Sequence, residues 1–381
     1  MDISRRHFGF GLLAFGLSAC GSPAIQGTRR AEAGGLPPDL RPVPNAGYDA
    51  WVAGFRGRAR AQGISDGTLR AAFRGAGYLP GVVTRDRNQT EFKRSLEDYL
   101  SIAVSDERVA KGRAAFARHR STLAALERAY GVDAEIIAAI WGLESFYGER
   151  RGDVPVISAA STLAYDGRRG AFFEKQLLAA LKILQNGDIT PAKMTGSWAG
   201  AMGHTQFIPT SYQAFAVDFT GDGKRDIWSE DPSDALASTA AYLARNGWKR
   251  GLKWGGEVGA EAPEGRVIQP QPGGPRFAVT RNFDAIKRYN NSDAYAIGVG
   301  HLADRIAGGG PLRAGFPPDA NGLTKADRIA LQKRLTAHGF DTGGSDGVIG
   351  PNSQSAIRAY QESRGLPVTG TPSQDLLRSL R

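Results

Sequence analysis

One stretch limits the fold more than any other: Val132 to Gly148, which reads Val-Asp-Ala-Glu-Ile-Ile-Ala-Ala-Ile-Trp-Gly-Leu-Glu-Ser-Phe-Tyr-Gly. Asp133 stands where a helix N-cap belongs and Gly148 where a helix stops, so one helix is predicted between them. Ile137, Ile140 and Trp141 recur at i, i+3 and i+4 and define an apolar face. Position i+7 of that face is Glu144. A carboxyl in line with isoleucine and tryptophan loses hydration, and desolvation favours its protonated form. Raised toward neutrality, it becomes a general acid. The competing assignment is a structural ion pair, with Arg150 or Arg151 reaching back to the carboxylate.

With 381 residues the chain exceeds the usual single domain, so two or more folded units are expected. A hydrophobic share of 41% supports a true core, while 50 glycines supply turns and linkers. The net charge of +10 suits polyanionic surroundings. Its basic residues are scattered and not interleaved with aromatics, so no nucleic-acid partner is expected.

Residues 1–20 read as an export leader. Arg5 and Arg6 precede the apolar run Phe10 to Ala19, which is too short to span a bilayer, and the twin arginines resemble a Tat signal. Leu17-Ser18-Ala19-Cys20 resembles a bacterial lipobox, which would make Cys20 a lipidated first residue; the alternative is an ordinary signal peptide. Cys20 is the only cysteine, so no intramolecular disulfide forms. Residues 21–47, rich in Gly, Ala and Pro, read as a flexible tether.

From Tyr48 to Arg128, Trp51, Phe55, Leu69, Phe73, Phe92, Leu96, Tyr99 and Leu100 recur at helical spacing. Further helices are predicted from about Phe172 to Gln185, over Asp234 to Arg245, and through Leu302 to Ile306. Gly196 to Tyr212 fits neither a phosphate loop nor the dinucleotide fingerprint. Its small residues around Ser197, Met202, Gln206 and Phe207 suit a groove wall or, equally, tight helix packing.

Asp218 to Asp226 begins like an EF-hand loop, with oxygen ligands at positions 1, 3 and 5 and Gly223 at position 6. Position 12 is Ser229, so closure falls to Asp234, which also suits a plain helix first turn. The spread histidines contain no zinc-hydrolase motif. Trp254 to Arg276 reads as a surface excursion and residues 308–322 as a linker. Leu323 to Arg381 forms a small unit with stripes Ile329-Leu331-Leu335 and Ala356-Ile357-Tyr360, sized for binding more than for catalysis.

Three motifs occur in order: Trp141 to Gly148, Gly200 to Pro209, and Tyr289-Asn290-Asn291-Ser292. Together they resemble the membrane-bound lytic transglycosylase B family, glycoside hydrolase family 103, over roughly Tyr48 to Ile306. Asp346-Gly347, Gly350-Pro351 and Gln361 to Gly370 resemble the type 1 peptidoglycan-binding domain.

The resemblance implies a mainly α (α+β) chain. A lysozyme-like helical catalytic domain would span 48–307, and a three-helix peptidoglycan-binding module 323–381. It implies non-hydrolytic cleavage of the β-1,4 bond from MurNAc to GlcNAc, leaving 1,6-anhydro ends, with Glu144 as the single acid/base. Ser197 and Gln206 would hydrogen-bond the sugar. Met202, Phe207, Tyr289, Tyr295 and Tyr99 would wall the cleft, and Arg168 and Arg169 would face the peptide stem. Asp218, Thr220, Asp222, the Lys224 carbonyl and Asp234 would hold a structural Ca2+, with no cofactor required for the chemistry. The expected partners are glycan strands and, through Cys20, a membrane; the chain is expected to act as a monomer, a periplasmic outer-membrane lipoprotein of a Gram-negative bacterium. A hydrolytic muramidase and a non-catalytic wall-binding lipoprotein are the alternatives.

Overall fold

The computed structural model describes residues 35–88, 95–259 and 262–380. Cys20 and the leader lie outside the described residues. Among those described, no helix is long and apolar enough to cross a membrane.

The centre of the larger unit is the helix Ala134–Ser145. Every residue from Ile136 to Leu143 is buried, so the apolar face read from the sequence covers the whole circumference, as befits a core helix. Helices Asp106–Arg118, Arg120–Tyr130, Ser233–Arg245 and Asp293–Ile306 pack around it. The helix also ends earlier than the expected stop at Gly148. Phe146 already caps it in the left-handed region. Asp133 sits at the N-cap position without a side-chain capping bond.

A second cluster joins Ala46–Ala61 to the helical hairpin Val156–Asp166 and Gly170–Asn186. The described part of the expected tether belongs to the fold. Leu40 is buried with Leu79 and Val82, Val43 N–H donates to Tyr78 O at 2.9 Å, and Asp39 pairs with Arg85. One apolar side chain with a waiting pocket is enough to dock a proline-rich segment.

The stretch expected to be a surface excursion instead forms a three-stranded antiparallel sheet, Gly255–Glu257, Phe277–Val279 and Arg266–Ile268, with Phe277–Val279 in the middle. All three residues of that central strand are buried. Glycines at close backbone approaches erased the alternation that marks a strand. The interdomain segment is strapped down as well. Leu312 and Phe316 pack on the main core, and Glu257 accepts the N–H groups of Arg313 and Ala314 at 2.8 and 2.6 Å.

The C-terminal unit packs helices Lys325–Ala337, Pro351–Ser363 and Gln374–Ser379 around Leu331, Leu335, Ile357, Tyr360 and Leu377. Thr324 and Asp327 close a capping box at the start of its first helix.

Candidate active site

Glu144 occupies the last turn of the central helix, where burial relaxes from complete to partial. Phe146 and Tyr147 follow at φ 54° and 60°, and Gly148 at φ 90°. Two successive non-glycine residues in the left-handed region are costly, and neighbouring contacts over-determine them. Tyr147 donates its hydroxyl to Arg108 O at 3.0 Å, and the helix admits its ring only because position 142 is glycine: a Cβ there would lie 2.5 Å from the phenol. The Phe146 ring is ringed by Lys111, Arg108 and Arg150 at 4.4 to 5.1 Å.

The loop Gly200 to Pro209 is fastened to this helix end. Ser145 donates its hydroxyl to His204 O and accepts the Gly148 N–H. Trp141 donates its indole N–H to His204 Nδ1 at 3.1 Å, so Nε2 carries the proton and donates to Ser229 O at 2.7 Å. Burial pushes the His204 pKa down and keeps the ring neutral. His204 carries this architecture, and sequence reasoning assigned it nothing.

Tyr295, fully buried, donates its hydroxyl to Glu144 Oε1 at 2.7 Å. Burial raises the Glu144 pKa to about 7, and the Tyr295 hydrogen bond opposes that rise. The ion-pair alternative fails here. Arg150 lies over Phe146, while Arg151 donates to Trp228 O and Ser229 O and pairs with Glu230.

Of the other expected site residues, the structure gathers most but changes their standing. Tyr289 donates its hydroxyl to Thr205 O at 2.6 Å and tilts against Phe207. Its ionisation is disfavoured by burial and by the Glu144 charge. Met202 and Phe207 bridge each other antiparallel and are wholly buried, as Tyr295 is. Ser197 is buried as well, and its Oγ accepts the Ala201 N–H at 3.1 Å. Gln206 holds φ 53° and donates its Nε2 to Arg151 O and Gly203 O. The Tyr99 ring lies against Gly298, one turn beyond Tyr295. Arg168 and Arg169 both pair with the buried Asp86. No hydrogen bond among the described residues links them to Glu144.

The Asp218, Asp222 and Asp234 carboxylates bring oxygens within 4.8 Å of one another. Desolvation works to raise the Asp218 pKa, but the Gly223 and Gly221 N–H groups that it accepts help outweigh it and hold the pKa down. Asp234 accepts those of Phe219, Thr220 and Asp226. The Thr220 hydroxyl leans on Asp218 Oδ1 at 3.4 Å, and Lys224 N–H donates to Asp222 Oδ1. The lengthened stretch after Trp228 is folded back, because Asp226 Oδ1 accepts the Trp228 and Ser229 N–H groups. Three hard oxygen donors in that span fit a calcium-sized ion.

Residues 47–266 and 260–304 match the family described as Transglycosylase SLT domain, and 324–380 match the Putative peptidoglycan binding domain. Membrane-bound lytic murein transglycosylase B of Escherichia coli (strain K12) is 30% identical over 242 residues, covering 55% of this chain and 66% of that protein. The crystal structure of SltB3 from Pseudomonas aeruginosa in complex with NAG-anhNAM-pentapeptide is similar at 43% identity and TM-score 0.69, covering 88% of this chain and 100% of that one. The Escherichia coli lytic transglycosylase Slt35 in complex with calcium is similar at 26% identity and TM-score 0.58, covering 69% and 93%.

Proposed function

The chain belongs to the transglycosylase SLT-domain family, and on that premise we propose that it cleaves the β-1,4 MurNAc–GlcNAc bond of peptidoglycan without water, leaving 1,6-anhydro-MurNAc ends. Glu144 gives its proton to the glycosidic oxygen as the bond to C1 breaks. The resulting carboxylate then takes the C6 hydroxyl proton as that oxygen closes on C1. One group serves both steps because a pKa of about 7 leaves each form well populated near neutrality. Usual glycosidases need two carboxylates unless a sugar group assists. The observation that carries the reading is a carboxyl whose pKa burial raises to about 7 and that the Tyr295 hydroxyl holds at 2.7 Å. Gln206 and Ser197 are the polar groups proposed to meet the sugar, with Tyr99, Tyr289 and Tyr295 around it. Arg168, the more exposed of its pair, is the cation proposed for the peptide stem.

Mass spectrometry of digested wall fragments tests this. Products 18 Da lighter than the hydrolytic reducing ends are expected, as loss of one water requires. Reducing ends alone would make the chain a muramidase. No products at all, with wall binding intact, would make it a binding protein.

The Asp218 loop is proposed to bind Ca2+ as a structural ion, supported by its three converging carboxylates and by the calcium complex of Slt35. The C-terminal module is proposed to hold the wall, with Cys20 as a lipid anchor on the outer membrane and the periplasm as the place of work. Palmitate labelling of the wild type and of Cys20→Ser separates an anchored chain from a freely secreted one.

A further inference from the structure

Among the described residues of the C-terminal module, Arg328 is the one arginine with its side chain all but excluded from water, 4% exposed, and its guanidinium is fully engaged. Within its own module and the adjoining linker, Nε donates to Gly347 O at 2.6 Å, and Nη1 to Leu323 O and Asp319 Oδ2 at 3.2 and 3.4 Å. Nη2 crosses to the catalytic unit, donating to Glu97 Oε2 at 2.6 Å and Asp98 Oδ1 at 3.1 Å. Glu97 and Asp98 are the first-turn acids of the helix Leu96–Ala103, and Glu97 N–H is also held by Gln271 Oε1. A buried ion pair across two units is weak evidence for stability, because an apolar pair often does as well. What it supplies is a fixed register between them.

That register reaches the reacting group. The next residue after Asp98 is Tyr99, whose ring leaves no room for even a methyl group on Gly298: a Cβ there would lie 2.8 Å from it. Gly298 follows Tyr295 by one helical turn, and Tyr295 holds Glu144. Helices Leu96–Ala103 and Asp293–Ile306 pack directly, so the first cannot shift without pressing on the second.

We propose that Arg328 is a positioning residue for the cleft: by clamping Glu97 and Asp98, the wall-binding module sets the placement of Tyr99 beside the Tyr295–Glu144 pair. This rests on the reaction proposed above. It makes the two units one mechanical body, whereas their sequences read as independent modules. A glycan strand held by the module is thereby presented to the cleft at a fixed distance and angle.

The test uses the full chain with Glu97→Gln and Asp98→Asn together, which leaves Arg328 its acceptors on the module side. Three readouts are taken: co-sedimentation with insoluble peptidoglycan, amide exchange over residues 96–103, and kcat and KM on a soluble glycan fragment too short to reach the module. Wall binding is expected to hold within about twofold while kcat/KM on the fragment falls about tenfold, the scale of a small misplacement. Exchange over 96–103 is expected to quicken. Arg328→Lys, which keeps the charge but not the fork, is expected to fall between the double variant and wild type. Faster exchange with unchanged kinetics would overturn the proposal, leaving only a structural clasp, and so would unchanged exchange. If the double variant fails to fold, Asp98→Asn alone carries the same comparison. Wild-type protein that yields no anhydro product would instead sink the proposed reaction, and the exchange measurement would still judge the clamp.

Discussion

Tyr295 sets its hydroxyl 2.7 Å from Glu144 Oε1, joining the central helix to the helix packed antiparallel along it. Two effects therefore act on one carboxyl. Burial pushes its pKa up, the phenol pulls it down, and burial prevails at about 7. Without the phenol the acid would be stronger as a proton store and weaker as a proton donor. Without burial it would be ionised at the outset. The proposed chemistry needs both halves of that balance.

Tyr295→Phe removes the opposing half. The Glu144 pKa then rises further, so the alkaline limb of the kcat/KM profile is expected to move to higher pH than in wild type. Loss of the orienting bond is expected to lower kcat on the order of tenfold to a hundredfold. A pH–rate series on both proteins checks this, and an unmoved limb would show that the phenol does not touch the working acid.

His204→Leu keeps the bulk at the loop and removes both ring nitrogens. The Trp141 N–H then loses its partner in a buried place, at about 1–3 kcal/mol for a group left unsatisfied, while Ser229 O keeps the Arg151 N–H at 3.0 Å. The unfolding midpoint is expected to fall by roughly 2–12 °C. Calorimetry measures the drop. A change under one degree would mean that the Trp141 N–H finds another partner and that the loop is not pinned here.

Asp222→Ala addresses the proposed calcium site in the Asp218 loop. Asp222 is exposed and accepts one hydrogen bond from its own loop, so the metal-free protein is expected to melt within about 1 °C of wild type. Calcium at a hundredfold over its dissociation constant adds about 2.7 kcal/mol to a protein that binds it only when folded. That gain is expected in wild type and absent in the variant. Equal calcium shifts in both, or none in wild type, would reduce the loop to a self-capped turn.

How much of this was readable beforehand follows from the range of each interaction. Glu144 was legible because its message is local: one helix, an i to i+7 spacing, an apolar neighbourhood. The Asp218 loop was legible for the same reason, since its three converging carboxylates sit within seventeen residues of chain. His204 was not, because its partner Trp141 lies 63 positions away and a lone histidine among glycines signals nothing. Arg328 was still less so, with 231 positions between it and Glu97. The sheet around Phe277 escaped because glycine, useful for close backbone approach, carries no side chain to mark an alternation. Met202 and Phe207 were expected as cleft walls, and the structure buries both, a depth that sequence spacing does not carry.

Glu144→Gln carries a stability prediction as well as a catalytic one. The unfolded chain ionises this carboxyl near 4.5, while the native chain keeps the proton up to about 7. Between those values the native state binds more protons than the unfolded one, so stability falls as pH rises through the window and levels off above it. Below pH 4.5 the carboxyl is neutral in both states, and glutamine should match it. Above pH 7 wild type carries a half-buried carboxylate that glutamine avoids, a difference of at most about 3 kcal/mol before solvent screening reduces it. The variant is therefore expected to melt with wild type at pH 4 and above it at pH 8, while turning over no glycan at either. Denaturant titrations at the two pH values check the sign. Equal differences at both would mean that Glu144 is as well solvated in the native chain as in the unfolded one, and a carboxyl so placed could not hold the proton that the reaction begins with.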